Sequence, residues 1–83
     1  SWLAVSRVRG TDENNNVLTG NVLAVDTTDC VVEAQEKLIA TVGLKNLVVV
    51  DTKDAMLICE KEKANDIKKV LETLRNDDRQ EYL

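Results

Sequence analysis

An 83-residue chain with 43% apolar residues has the size of one small domain with a single core. Its formal net charge of −4, with Lys and Arg interleaved among Asp and Glu, argues against nucleic-acid binding, which needs a clustered basic face. No apolar run approaches the roughly 20 residues of a membrane span, and a composition with no Phe, one Trp and one Tyr favours thin aliphatic β layers.

The first two thirds of the chain predict short strands joined by polar turns. Because the chain has no Pro and only three Gly, most turns must rely on Asn and Asp, which tolerate left-handed backbone angles. The run TDENNN at 11–16 is such a turn, and the uninterrupted apolar run at 47–50 indicates a strand covered on both faces. Segments expected to form strands lie at 1–8, 17–25, 30–34, 38–42, 47–50 and 55–59.

The last third of the chain predicts an amphipathic helix. From residue 62 onward, apolar residues fall at helical spacing among charged ones, at Ala64, Ile67, Val70, Leu71 and Leu74. We expect this helix to cap the open end of the β stack, which would otherwise expose unpaired strand edges. The predicted organisation is a single domain with β-helix-like coils over 1–60, a capping helix over 61–78 and a frayed tail over 79–83.

Two segments of the chain are nearly the same. LAVDTTDCVVEAQEK at 23–37 and VVVDTKDAMLICEKE at 48–62 are offset by 25 residues, so that Val25 corresponds to Val50. A stretch this short cannot hold two strands and a covering helix, which favours equivalent strands stacked directly, like the coils of a solenoid. Gly20, Gly43 and the two Val-Asp-Thr corners would then shape the coils. The side chains expected to fill them are Val25, Val42, Val48, Val50 and Leu57.

Four carboxylates recur at the corners of this repeat, and they allow two interpretations. Stacked in a column, their oxygens could hold Ca²⁺ or Mg²⁺. However, the sequence lacks the Gly-rich loop of calcium-binding solenoids, and turns closed by Asp or Thr side chains explain the same residues without a ligand. We favour the turns and expect no metal site at Asp26, Asp29, Asp51 and Asp54.

Nucleophilic and phosphate-binding chemistry find little support in the sequence. Cys30 and Cys59 lie in apolar strand contexts, and the chain has no His to activate a thiol or complete a zinc site. We expect two reduced, buried thiols of a cytoplasmic protein. Gly10, Gly20 and Gly43 are far apart and none opens a helix, which argues against a phosphate-binding loop. We therefore predict no catalytic, cofactor-binding or metal-ligating residue.

Three stretches of the chain resemble one enzyme family. They are GNVLAVDTTDC at 20–30, KLIATVGLKNLVVVDTKDAMLIC at 37–59 and KKVLETL at 68–74. Together they resemble the C-terminal domain of bacterial mannose-1-phosphate guanylyltransferases (GDP-mannose pyrophosphorylases), and the linker domain of longer enzymes that fuse this activity to a mannose-6-phosphate isomerase. The stretch 40–57 matches the family pattern most completely. The departures from that pattern, Asp29 and Asn46, lie at expected turn positions.

The resemblance implies a mainly β fold, a short left-handed parallel β-helix-like domain with a C-terminal α-helix. In the family this domain packs against an N-terminal nucleotidyltransferase domain. The parent reaction converts mannose 1-phosphate and GTP to GDP-mannose and pyrophosphate with the assistance of Mg²⁺. Ser1 and Trp2 resemble the end of a Gly-Ser-Trp motif that closes the catalytic domain. None of the family's catalytic, GTP-binding or metal-binding residues maps onto this chain, so we expect the chain alone to be inactive.

The sequence therefore favours a non-catalytic structural domain of a mannose-1-phosphate guanylyltransferase, with its own nucleotidyltransferase domain as partner and a homodimer as an open possibility. The alternative is an independent protein-interaction or dimerisation module without an enzymatic parent, which would bind through an aliphatic edge and the terminal helix. A β-helical acyltransferase is disfavoured, because its coils repeat every six or so residues and use a catalytic His, and this chain has neither.

Overall fold

The computed structural model describes residues 11–82, and the strand expected at 1–8 lies outside that range. Within it, strands come first and a helical segment comes after them, as the hydrophobic pattern predicts. The elements are β1 (Val17–Thr19), β2 (Val22–Val25), β3 (Val31–Glu33), β4 (Ile39–Val42), β5 (Leu47–Asp51), β6 (Met56–Glu60), a 3₁₀ segment (Lys61–Asp66), helix α1 (Ile67–Asn76) and a 3₁₀ turn (Gln80–Tyr82).

The first five strands wind into parallel coils. β1, β3 and β5 pair in parallel on one side, so that Val17 lies beside Val31 and Val31 beside Val48. β2 and β4 pair in parallel on a second side, and a bridge between Thr28 and Lys45 forms the third. Neighbouring strands of the first side are thus 14 or 17 residues apart in the chain. The fold is a short parallel β-helix, which confirms the predicted fold class.

Left-handed backbone angles mark the corners of the coils. Asn15, Asp29 and Asn46 each lie just before a strand of the first side, with φ values of 61°, 56° and 61°. Asp26 and Gly43 come directly after the two strands of the second side, with φ values of 50° and 70°. Asn and Asp adopt this region more readily than other residues that carry a Cβ. The coils therefore turn largely on Asn and Asp, as the scarcity of Gly predicts.

Side chains from all three sides fill the interior of the coils. Cys30, Val32 and Val49 from the first side are between 0% and 4% exposed. Half-buried side chains pack against these three, namely Val22, Ile39, Leu44 and Leu47. Because successive side chains of a strand point to opposite faces, the residues that alternate with this set point outward.

The outward face of the first side forms a second core. Val17, Val31 and Val48 alternate with the interior residues, yet they are only 2%, 0% and 0% exposed. Val50 belongs to the same cluster, and the half-buried residues Leu57 and Cys59 of β6 pack against it. The apolar run at 47–50 therefore serves two cores, as expected for a strand covered on both faces. The predicted burial of Val48 and Val50 is confirmed.

The predicted stacking of Val25 on Val50 is wrong. Val25 pairs with Val42 on the second side of the coils, whereas Val50 pairs with Glu33 and Leu57 on the first. Neighbouring strands on both sides therefore have a shorter spacing than the 25-residue echo in the sequence.

The two Val-Asp-Thr corners also differ in structure. The first turns the coil, but the second is a hairpin loop, since β6 runs antiparallel to β5. The backbone amide and hydroxyl of Thr52 donate to the Ala55 carbonyl at 2.8 and 2.9 Å, and the Ala55 amide donates back to the hydroxyl at 3.2 Å. The same letters therefore encode two kinds of turn.

The single strand expected over 17–25 is broken into two. β1 ends at Thr19, Gly20 turns with a φ of 83°, and β2 begins on the next side of the coil. A Cβ at Gly20 would lie 2.1 Å from the carbonyl oxygen of Ala34 in the following coil. Only Gly permits both this φ and this close approach of two backbones.

Helix α1 ends in a Schellman motif without glycine. The Arg79 amide donates to the Leu74 carbonyl at 2.8 Å and the Asp78 amide to the Arg75 carbonyl at 3.3 Å. Asp78 takes the left-handed position, with a φ of 58°. None of the helix residues is buried, so α1 lies loosely beside the β5–β6 hairpin. Capping of the coils by residues 61–78 stays a prediction.

Candidate functional site

The structure does not bring the four repeated carboxylates together. Asp26 and Asp29 occupy two different corners, where the next coil places Gly43 and Asn46. Asp51 ends strand β5, and Asp54 lies in the hairpin loop. No group of three or more metal-ligating side chains exists among residues 11–82. The positive φ angles of the two coil corners support the interpretation of these residues as turn formers.

Side-chain hydrogen bonds join the corners of successive coils. The Asn15 amide nitrogen donates to the Asp29 carboxylate at 2.8 Å. At the other end of the same row, Asn46 donates to the Glu62 carboxylate, and this bond lowers the pKa of Glu62. These contacts occupy the polar groups of the corners and align one coil with the next. Their role is therefore structural.

A polar network closes the first coil, and sequence reasoning described it only as a polar turn. The Asp12 carboxylate accepts hydrogen bonds from the backbone amides of Asn14 at 2.9 Å and Asn16 at 2.8 Å. The Asn16 side chain is buried, donates to the Thr27 carbonyl at 2.8 Å and accepts from the Cys30 amide at 2.9 Å. The spacing Asp-x-Asn-x-Asn, typical of a turn closed by an Asp side chain, is the signal that could have revealed it.

The electrostatics of Asp12 are set by this network. Partial burial disfavours the charged form, but the hydrogen bonds from the Asn16 amide, the Asn16 side chain and the Asn14 amide together hold the pKa of Asp12 below its ordinary value of 3.8. A carboxylate kept ionised in this way is an acceptor for backbone amides, with no exposed partner that would make it an acid or base.

Both cysteines are free thiols, as predicted, but only Cys30 is fully buried. Its sulfur donates to the Thr28 carbonyl at 3.3 Å and accepts from the Leu47 amide at 3.4 Å. The thiol thus satisfies backbone groups inside the coil corner. Cys59 is half-buried against the second core. Neither environment activates a nucleophile, because no basic side chain is among these partners.

An apolar cleft of about 290 Å³ lies between α1 and the β5–β6 hairpin. The predicted helical stripe faces it through Ile67, Val70, Leu71 and Leu74, opposite Val50 and Leu57. Val70 and Leu71 remain 46% and 37% exposed, so the helix covers the hairpin incompletely. The lining supplies hydrophobic contact and no group for chemistry.

The outward face of the second side is exposed and apolar. Val25 and Val42, which the sequence led us to place in the core, are 49% and 71% exposed, and that prediction is wrong. They point outward because Val22 and Ile39, at alternating positions of the same strands, already pack into the interior. Together with Leu23, Leu38 and Ala40, they form a surface that we call the β2–β4 face.

Within residues 11–82, no helix is long and apolar enough to cross a membrane. The candidate functional features of the described chain are therefore its surfaces and not a catalytic centre.

Residues 20–74 match the family model described as the MannoseP isomerase/GMP-like beta-helix domain. The chain is 42% identical over 82 residues to a mannose-1-phosphate guanylyltransferase of Klebsiella pneumoniae, which covers 99% of this chain and 17% of the relative. It is also 42% identical over 74 residues to the alginate biosynthesis protein AlgA of Pseudomonas aeruginosa, covering 89% of this chain and 15% of the relative.

The fold agrees with a solved structure of the same kind. The crystal structure of mannose-1-phosphate geranyltransferase from Thermus thermophilus superposes with a TM-score of 0.78 at 36% identity, over 89% of this chain and 23% of that chain. The chain thus spans less than a quarter of the length of each relative compared. Because the family model covers most of its length, the chain belongs to the MannoseP isomerase/GMP-like β-helix domain family.

Proposed function

We propose that the chain is the non-catalytic β-helix domain of a mannose-1-phosphate guanylyltransferase and supports a separate nucleotidyltransferase domain of the same polypeptide. The observation that carries this proposal is the 42% identity to the Klebsiella pneumoniae enzyme over 99% of the chain. In the full-length enzyme, mannose 1-phosphate and GTP would be converted to GDP-mannose and pyrophosphate in the cytoplasm.

The chemistry of the described residues supports an architectural role. The hydrogen-bonding side chains at the coil corners contact one another or the backbone of neighbouring coils. The reaction would use Mg²⁺, but residues 11–82 hold no cluster of ligands that fits this ion. We therefore assign metal and GTP binding to the part of the enzyme outside this chain.

A comparison of three samples tests the proposal. Pyrophosphate release from GTP and mannose 1-phosphate with Mg²⁺ is measured for the full-length polypeptide that contains this chain, for the chain alone, and for a buffer control. We expect release only from the full-length polypeptide. Turnover by the chain alone would contradict the non-catalytic role, and a full-length polypeptide without turnover would contradict the assignment to this enzyme class.

An independent interaction or dimerisation module is the second candidate, and the exposed β2–β4 face favours it. Such a module would self-associate or bind another protein without any enzymatic domain in the same polypeptide. Light scattering of the isolated chain at micromolar concentration distinguishes the two functions. A stable dimer of the chain alone supports the module, whereas a monomer supports a domain that needs the rest of its polypeptide.

A further inference from the structure

We propose that the β2–β4 face is the surface on which the nucleotidyltransferase domain of the same polypeptide packs. This inference rests on the proposed function and adds to it the location of the contact. The face consists of Leu23 and Val25 from β2, Ala40 and Val42 from β4, and Leu38 immediately before β4.

The register of the strands makes these side chains one continuous patch. Leu23 lies beside Ala40 and Val25 beside Val42 in the parallel pair, and Leu38 extends the row of β4 on the same face. Leu23, Leu38 and Val42 are 56%, 55% and 71% exposed. All outward positions of the two strands therefore present aliphatic carbon to the surroundings.

Such a surface is unusual for a sheet that ends in water. Parallel sheets are nearly always covered on both faces, whereas a face left in solvent ordinarily carries polar residues. The first side of the same β-helix shows the ordinary outcome, since its outward residues Val31 and Val48 are completely buried. The second side has the same aliphatic composition but lacks its cover.

The size of the patch favours a tethered domain over a second copy of the chain. Five short, partly exposed side chains offer a few hundred Å², by order of magnitude. A stable complex of separate proteins buries roughly 800 Å² per partner, but domains of one polypeptide hold together with roughly half that area. The tether supplies a high effective concentration, so a small apolar contact suffices.

The length of the relatives points to the same occupant. This chain corresponds to 17% of the Klebsiella pneumoniae relative and 23% of the Thermus thermophilus structure, so the domain recurs in polypeptides of different length. In each of them at least three quarters of the polypeptide lies outside the matched region. A partner of fixed stoichiometry is therefore part of the same molecule.

Site-specific photo-crosslinking in the full-length polypeptide tests the inference. Val42→p-benzoylphenylalanine places the reactive group in the centre of the β2–β4 face. Ile58→p-benzoylphenylalanine is the matched control, because Ile58 is also an aliphatic strand residue with 61% exposure but lies on β6. Far-UV circular dichroism establishes that both variants are folded, and cross-linked peptides are identified by mass spectrometry.

We expect position 42 to cross-link within one polypeptide to peptides of the nucleotidyltransferase domain, with a yield well above that of position 58. A cross-link between two polypeptides would assign the face to a homodimer and overturn the inference. Cross-linking from position 58 alone, or from neither position, would overturn it as well.

Activity of the same preparations separates this inference from the proposed function. Guanylyltransferase turnover without a contact at position 42 refutes only the location of the interface. A full-length polypeptide with no turnover and no second domain refutes the proposed function, and this inference with it. The variants Val42→Lys and Ile58→Lys add a second measurement. We expect limited proteolysis to separate the two domains faster in Val42→Lys than in Ile58→Lys, and equal rates would contradict the inference.

Discussion

Replacing Gly20 with Ala tests how closely the coils approach one another. A Cβ at this position would lie 2.1 Å from the Ala34 carbonyl oxygen, well inside the 3.0 Å below which real Cβ contacts are essentially never found. One of the two backbones must therefore move by about 1 Å. The Ala34 amide donates to the Thr19 carbonyl at 2.8 Å, so such a movement strains a hydrogen bond between the coils.

The expected loss has two unfavourable parts and one favourable part. An Ala held at a left-handed φ costs about 1–2 kcal/mol, and the stiffer unfolded chain returns about 0.4–1 kcal/mol of stability. Forcing extra volume against a fixed backbone costs about 1–3 kcal/mol. We therefore expect Gly20→Ala to lower the free energy of unfolding by about 2–4 kcal/mol. For a domain with about 5–10 kcal/mol of stability this is a severe loss.

Gly43→Ala is the matched control. Gly43 also has a positive φ, 70°, but a Cβ there would have no neighbour within 4 Å. Only the conformational effects remain, so we expect a loss of about 1 kcal/mol or less. Urea unfolding followed by far-UV circular dichroism gives both values. Equal losses in the two variants would refute the close approach at Gly20, and a larger loss at Gly43 would refute the positions assigned to the two corners.

Three further substitutions or conditions probe the cores and the polar network. Val48→Ala removes two buried methyl groups and should cost about 2–3 kcal/mol, whereas Val42→Ala at an exposed position should cost less than about 1 kcal/mol; equal urea midpoints would contradict the burial assignments. Asn16→Ala leaves the buried Cys30 amide without an acceptor and should cost about 2–3 kcal/mol in the same assay. Because the folded pKa of Asp12 is lowered, its stabilising contribution is present above pH 3.8 and lost as the pH falls through the folded value. In Asp12→Ala, this part of the acid-dependent loss of stability should disappear from unfolding curves measured between neutral and acidic pH.

The strands were predictable because their apolar runs are short and separated by polar residues. Segments expected at 30–34, 38–42, 47–50 and 55–59 each contain a strand of the structure. The helix was predictable for the same kind of reason, since its apolar residues repeat at helical spacing. Asn and Asp at left-handed corners were expected from the low Gly content, without knowledge of which residues would stack.

The stacking itself could not be obtained from the sequence echo. Val-Asp-Thr-x-Asp is compatible with a coil corner and with a hairpin loop, and the residues downstream of each copy decide between the two. After the first copy, left-handed Asp29 directs the chain into a strand parallel to β1. After the second, Thr52 closes a tight loop and β6 returns antiparallel. The unequal spacing of 14 and 17 residues arises because the corner after β3 is longer than the one after β1. A search for one fixed period therefore fails.

The direction of the side chains on the second side was also hidden from sequence reasoning. β2 reads Val-Leu-Ala-Val, so polar and apolar residues do not alternate, and hydrophobicity cannot say which set faces inward. Pairing decides it, because Val22 and Ile39 are in register and both contact the interior. Leu23, Val25 and Val42 then have to face outward whatever their hydrophobicity. A strand that is apolar on both faces is stable in water only when both faces are covered, which is why the exposed face argues for a domain that is physically completed by another part of its polypeptide.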